Sequence, residues 1–176
     1  SEVIYSGGDP LAANDRRLAW LTREIAAIAH VRRLRVHTRL PVVIPQRITP
    51  ELIDALCGTR LPVTMVWHCN HAAELDARTA EAAALLRQAG VILLNQAVLL
   101  RGVNDSLEAQ QALGEALGDA GILSYYLHLL DRVRGASHFM VPDDEARALV
   151  GTMLTRMPGY LVPRLVRETA GEPAKV

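Results

Sequence analysis

Apolar residues fall into short runs set about thirty residues apart, the length of one β-α unit. Runs at 3–5, 34–38, 63–68, 91–99 and 123–130 are rich in Val, Leu, Ile and Tyr and predict strands. Between them, the segments 15–29, 50–58, 76–89, 106–120 and 142–157 carry helical patterns. The helix starts are signalled chemically. Thr49-Pro50-Glu51 places a capping threonine before a proline at the first helical position. Asn104-Asp105-Ser106 and Pro142-Asp143-Asp144 predict caps and acidic first turns, and Gly90 and Gly121 stand where helices end.

The run Val91-Ile92-Leu93-Leu94 is apolar without interruption, which predicts a strand covered on both faces and hence a parallel sheet flanked by helices. Five β-α units in series predict an α/β fold, a TIM-like barrel built in part. No G-x-G-x-x-G follows the first strand, which disfavours a dinucleotide-binding domain. The segment 160–167 predicts a further strand or hairpin, with Pro163 placing it at an edge. No low-complexity stretch or long linker divides the chain.

Composition narrows the function. Half of the 176 residues are apolar, and 19 basic residues balance 19 acidic ones. A neutral chain creates no global field that favours nucleic acid or an anionic membrane, so neither is expected as a partner. No apolar stretch is long enough to span a bilayer. Cys57 and Cys69 are isolated, which argues against a disulfide scaffold and fits a cytoplasmic protein. The first strand follows Ser1-Glu2 directly and the chain stops at Lys175-Val176, so a piece of a longer protein is expected.

The candidate chemistry lies at the C-terminal ends of the strands, where parallel α/β proteins bind ligands. In order these ends carry Gly7-Gly8-Asp9, His37-Thr38-Arg39, His68-Cys69-Asn70-His71, Asn95-Gln96, and His128 with Asp131. Placing many hydrogen-bonding groups at sheet ends costs stability unless they meet partners or ligands. The glycine pair permits positive φ or close approach of a ligand to the backbone. Arg39 has the donor fork that suits a carboxylate or phosphate. His68 and His71 lack an obvious third ligand, so no metal site is expected from them. Cys69 reads as a small packing residue before it reads as a reactive thiol.

The order of these motifs resembles the lysine 2,3-aminomutase family of radical S-adenosylmethionine enzymes. The likeness is carried by Ser6-Gly7-Gly8-Asp9-Pro10-Leu11, by Arg39 through Thr49, by His68-Cys69-Asn70-His71, and by Asn95 through Asp105. Later motifs, Ser124 through Asp131, Ser137 through Val141, Gly159 through Pro163 and Gly171 through Lys175, are most similar to the EpmB branch. That branch makes (R)-β-lysine for attachment to translation elongation factor P by a separate ligase.

The resemblance implies a radical-SAM barrel over 1–158, with 159–176 as a C-terminal segment carrying the pyridoxal phosphate lysine and packed on the same domain. It implies three cofactors: S-adenosylmethionine, a [4Fe-4S] cluster and pyridoxal 5'-phosphate. Gly7, Gly8 and Asp9 match the loop against the methionyl end of S-adenosylmethionine. Arg39, His68 and Gln96 match polar positions lining the same pocket. Lys175 matches the catalytic lysine that holds pyridoxal phosphate. Asp131 and Glu168 match the acidic positions that hold the ε-ammonium of substrate L-lysine. The second of these is aspartate in the better-known free-lysine enzymes.

One departure matters most. The family ligates its cluster through C-x3-C-x2-C, expected before the region where this chain begins, and no such motif is present. Cys57 and Cys69 stand twelve positions apart and do not replace it. The chain is therefore expected to be inactive alone, and a sheet edge left open by truncation is expected to favour a homo-oligomer. The competing expectations are a free-lysine or glutamate aminomutase of the same family, or a cluster-free domain that only binds a ligand.

Overall fold

Strands and helices alternate along the chain in this computed structural model, which describes residues 1–131 and 135–167. The strands are β1 (Glu2–Tyr5), β2 (Arg33–Thr38), β3 (Val63–His68), β4 (Ile92–Leu99), β5 (Leu123–Leu129) and β6 (Arg164–Val166). The helices are α1 (Asp15–Ala27), α2 (Leu40–Val43), α3 (Pro50–Cys57), α4 (Ala77–Gln88), α5 (Leu107–Asp119) and α6 (Asp143–Arg156). The sheet order follows the chain, β1-β2-β3-β4-β5-β6. The pairs β1/β2, β2/β3 and β5/β6 are parallel.

The chain folds as two compact units. The first comprises Ser1–His68, Leu75–Leu94 and Ala120–Ile122. Its core follows from strand register. Val3 pairs with Leu34 and Tyr5 with Val36, while Leu34, Val36 and Thr38 pair with Val63, Met65 and Trp67. Alternate residues share a face, so these side chains form one apolar layer. Leu34, Val36, Met65 and Trp67 are completely buried. Helix α1 adds Leu18 and Thr22, and α3 adds Leu52 and Leu56. The Tyr5 hydroxyl meets that of Thr22 at 3.0 Å inside this layer, and burial pushes the Tyr5 pKa up. The opposite face is mixed, carrying Arg35, His37, Thr64 and His68 beside Ile4 and the fully buried Val66. There Arg35 pairs with Glu2 at 2.8 Å.

Helix boundaries follow local chemistry. Thr49 accepts from the Leu52 amide at 3.2 Å ahead of α3. Asp76 and Thr79 cap α4 reciprocally, and the Thr79 amide holds the Asp76 carboxyl below its ordinary range. Gly90 and Gly121 take positive φ just past α4 and α5. At the end of α1, where carbonyls lack helical partners, the Arg60 guanidinium donates to Ala26, Ile28 and Val31 oxygens at 2.8–2.9 Å.

The second unit comprises Cys69–Glu74, Asn95–Asp119 and the chain from Leu123 onward. Met153, Met157 and Leu161 form its core cluster, with Leu107, Leu149, Val150 and Val162 packed against it. Gly114 lets α5 approach the turn Gly159–Leu161, since a Cβ there would lie 2.9 Å from Met157 Cε.

Four sequence expectations are refined. The apolar run at the start of β4 does not lie in a strand buried on both faces. The strand alternates between buried and less buried positions, and Ile92 is 55% exposed. A strand rather than a hairpin forms at the C-terminal edge, because β6 pairs parallel to β5 and is preceded by a 3-10 turn. Helix α2 forms in a stretch where the sequence pattern predicts no element. Within the expected capping segment Asn104-Asp105-Ser106, the residue that caps α5 is Ser106, which accepts from the Ala109 amide at 3.2 Å.

Candidate functional site

In the first unit the expected ligand loop follows β1. Gly7 and Gly8 have φ of +88° and +56°, conformations that side-chain-bearing residues resist. Nothing lies within 4 Å of where a Cβ would stand on either residue. The glycines are therefore demanded by backbone conformation, and the space over the turn is open to a ligand.

Asp9 ties this turn to the end of β2. Its Oδ1 accepts from the Leu11 amide at 3.0 Å and from the Thr38 hydroxyl at 2.7 Å. Its Oδ2 accepts from the amides of Arg39 at 2.8 Å and Leu40 at 3.1 Å, with the Thr38 hydroxyl at 2.9 Å. Thr38 is only 2% exposed. A second brace stands behind the loop. Arg47 donates to the carbonyls of Leu11 at 2.7 Å and Ala13 at 3.0 Å, and pairs with Asp15 at 2.5 Å.

Two more expected residues lie at neighbouring strand ends of this unit. Arg39 is exposed and leads into α2. His68 ends β3, and its ring meets that of His37 edge-on with centroids 6.0 Å apart.

The second unit holds a network of amide side chains. Asn95 clasps the Cys69 backbone, accepting from its amide at 2.9 Å and donating to its carbonyl at 3.0 Å. Asn70 Oδ1 accepts from the Val98 amide at 2.9 Å. Asn104 is fully buried. It donates to the carbonyls of Asn70 at 2.8 Å and Val98 at 2.9 Å, and accepts from the Leu100 amide at 2.7 Å. Gln110 donates in turn to the Asn104 carbonyl at 2.7 Å. Glu74 accepts from the amides of Asn70 at 2.7 Å and His71 at 3.0 Å. His71 Nδ1 accepts from the Ala73 amide at 3.1 Å.

Gln96 lies on β4, and Asp131 is exposed just beyond β5. Glu168 and Lys175 lie outside the described residues. Glu74, Asn104 and Gln110 are supporting residues to which sequence reasoning assigns no site role, and Thr38 and Asn70, expected only as strand-end polar groups, act here as braces. Their partners stand up to 34 positions away, so spacing gives no signal for them.

The open turn over Gly7 and Gly8 suits close approach of S-adenosylmethionine. The donor set does not suit an iron–sulfur cluster. The chain has two cysteines, and a cluster of the family's kind takes three from a single motif. Burial pushes the Cys57 thiol up, aided by the nearby Asp54 carboxylate. Cys69 is buried, with its Sγ donating to the His71 carbonyl at 3.3 Å. Among the described residues, no group of three or more His, Cys, Asp or Glu is placed to hold a metal.

Comparison with known proteins extends the resemblance seen in the motifs. The chain is 53% identical over 174 residues to the L-lysine 2,3-aminomutase of Escherichia coli, matching 99% of this chain and 51% of that protein. It is 55% identical over the same length to the L-lysine 2,3-aminomutase of Haemophilus influenzae, covering 52% of that protein. The likeness to the lysine 2,3-aminomutases holds over nearly the whole chain. A more distant relative, the L-lysine 2,3-aminomutase of Clostridium subterminale, is 37% identical over 170 residues and is covered to 41%. The chain thus spans about half the length of the curated relatives it matches. No family model matches it.

Two solved structures share the fold. Streptococcus suis SuiB bound to S-adenosylmethionine superposes with a TM-score of 0.59 at 13% identity, covering 97% of this chain and 39% of that one. A radical SAM methyltransferase from Sphaerobacter thermophilus gives a TM-score of 0.53 at 17% identity, covering 78% of this chain and 41% of that one.

Proposed function

We propose that this chain is part of a radical S-adenosylmethionine L-lysine 2,3-aminomutase, an isomerase that converts L-lysine to (R)-β-lysine, with the product destined for elongation factor P. The observation that carries this reading is 53–55% identity to proteins of that name over 99% of the chain. When bound, S-adenosylmethionine and pyridoxal phosphate supply the radical and the electron delocalisation that the 1,2-shift of an amine requires.

The chain's own residues bind and orient. The Gly7–Gly8 turn admits the methionyl end of S-adenosylmethionine against the backbone. Arg39, His68 and Gln96 are the further polar residues that the family resemblance assigns to cofactor binding. Asp131 and Glu168 present two carboxylates to the ε-ammonium of lysine, and a shared cation relieves their mutual repulsion. That pairing favours a cationic side chain over glutamate as substrate. Lys175 anchors pyridoxal phosphate, a task that needs its amine deprotonated by burial or a cationic neighbour. The two cysteines present do not form the ligand set of an iron–sulfur cluster. The chain by itself is therefore inactive as an aminomutase. We further propose a cytoplasmic homo-oligomer.

The test is pyridoxal phosphate loading followed by borohydride reduction and mass mapping. A visible absorbance band that borohydride bleaches, with the label fixed on Lys175, supports the assignment. Lys175 is the chain's single lysine, so a stable label on the α-amine of Ser1 instead, or none in a properly folded sample, removes Lys175 from the site.

A further inference from the structure

The sequence places Asp9 in a ligand-binding loop, where a carboxylate invites the reading that it accepts from the ligand's ammonium group. Its surroundings point elsewhere. Both carboxylate oxygens are already engaged, Oδ1 by the Leu11 amide and Oδ2 by the amides of Arg39 and Leu40. The Thr38 hydroxyl spans the two oxygens at 2.7 and 2.9 Å. Thr38 Oγ1 also accepts from the Leu40 amide at 3.1 Å, closing a ring of side chain and backbone. These donors belong to two segments about thirty residues apart in sequence. One is the turn after β1, and the other is the junction of β2 with α2.

The Gly7–Gly8 turn needs such an anchor. Two successive positive-φ glycines are the most conformationally free residues available, and nothing in the protein crowds them from the Cβ side. A turn with that freedom holds a ligand-ready shape only if its ends are fixed. Tyr5 in β1 fixes one end, through its register with Val36 and its hydroxyl contact with Thr22. Asp9 fixes the other.

We propose that Asp9 is a positioning residue whose carboxylate locks the Gly7–Gly8 turn to the end of β2, leaving the glycine backbone as the surface offered to the ligand. The link to S-adenosylmethionine rests on the reading given under Proposed function. The lock itself does not.

The experiment compares wild type with Asp9→Asn, Thr38→Val and Thr38→Ser. Two quantities are read: amide hydrogen exchange at Leu11, Arg39 and Leu40, and S-adenosylmethionine binding by equilibrium dialysis. Circular dichroism and melting establish that each variant is folded. Asp9→Asn keeps the size of the side chain but turns an NH2 toward backbone donors. Exchange at the amides it faces is expected to accelerate by about tenfold. Thr38→Val is too buried to touch a ligand, yet through the lock it is expected to speed the same amides and weaken binding in the same direction. Thr38→Ser keeps the hydroxyl and should stay within about twofold of wild type.

Unchanged amide protection in folded Asp9→Asn overturns the lock. Loss of binding in Asp9→Asn with both protection and binding intact in Thr38→Val also overturns it, in favour of direct contact with the ligand. If the amides respond as expected but no variant, nor wild type, binds S-adenosylmethionine, the lock stands and the functional assignment of the loop falls.

Discussion

Gly8 shows how one residue type can be imposed by backbone geometry alone. Its φ of +56° lies in the left-handed region, and open space surrounds the missing Cβ. Gly8→Ala therefore introduces no clash and costs only conformational energy, about 1 kcal/mol. A thermal melt should show a modest drop while S-adenosylmethionine binding falls much further, because the added methyl enters the space left for the ligand. Cys57 gives a pH signature at the same scale. Burial first, then the Asp54 carboxylate, raises its thiol pKa. Since the thiolate is the reactive form, iodoacetamide should label Cys57 more slowly than an unperturbed thiol at mildly alkaline pH. The sign for stability follows from the same shift. The folded state holds the thiol proton more tightly than the unfolded chain, so this contribution is present below the ordinary thiol pKa. It is lost as pH rises through the folded-state value.

At the scale of elements, helix α3 rests on a local device. Thr49→Ala removes the acceptor for the Leu52 amide and should lower stability by about 1 kcal/mol, read by chemical denaturation. Thr49→Ser should recover most of it. Such local signals made most of this fold legible in the sequence. The Thr-Pro-Glu start, the acidic first turn of α6 and the glycines after α4 and α5 all act within a few residues of the boundary they set. Where a boundary depends on distant residues, legibility fails. Helix α2 is one turn long, and the amides at its start are satisfied by Asp9 some thirty positions earlier. No periodicity can announce such a helix. The role of Asn104 is hidden for the same reason, since Asn-Asp-Ser reads as a capping segment while this side chain turns inward to Asn70 and Val98. In the candidate site, the strand-end glycines, Arg39 and His68 stand out by type and position. Lys175 and Glu168 are visible only through resemblance, because a lysine or glutamate near a chain end carries no pattern of its own.

For the molecule as a whole, two facts bear on activity together. The chain spans about half the length of the aminomutases it matches, and its two cysteines do not supply a cluster motif. Anaerobic reconstitution of this chain with iron and sulfide should yield no [4Fe-4S] absorbance, and lysine should not be isomerised. A cluster spectrum retained after desalting would contradict this and require thiolate ligation by Cys57 or Cys69.

The asparagine network of the second unit also sets a chemical lifetime. Asn104 sits before Asp105 with its amide nitrogen donating to two carbonyls. Deamidation, the slow ageing reaction of asparagine, would replace that donor by a carboxylate oxygen facing both of them. Two part-buried acceptors would then lose their partner and confront a charge, at a cost of about 1–3 kcal/mol. Asn104→Asp is the genetic copy of that event, and its melting temperature should fall well below that of wild type. Until it unfolds, the protein protects itself, because the two carbonyl contacts fix the Asn104 side chain and restrict the rotation that deamidation needs. Aged samples should accordingly lose structure abruptly, molecule by molecule, rather than soften together.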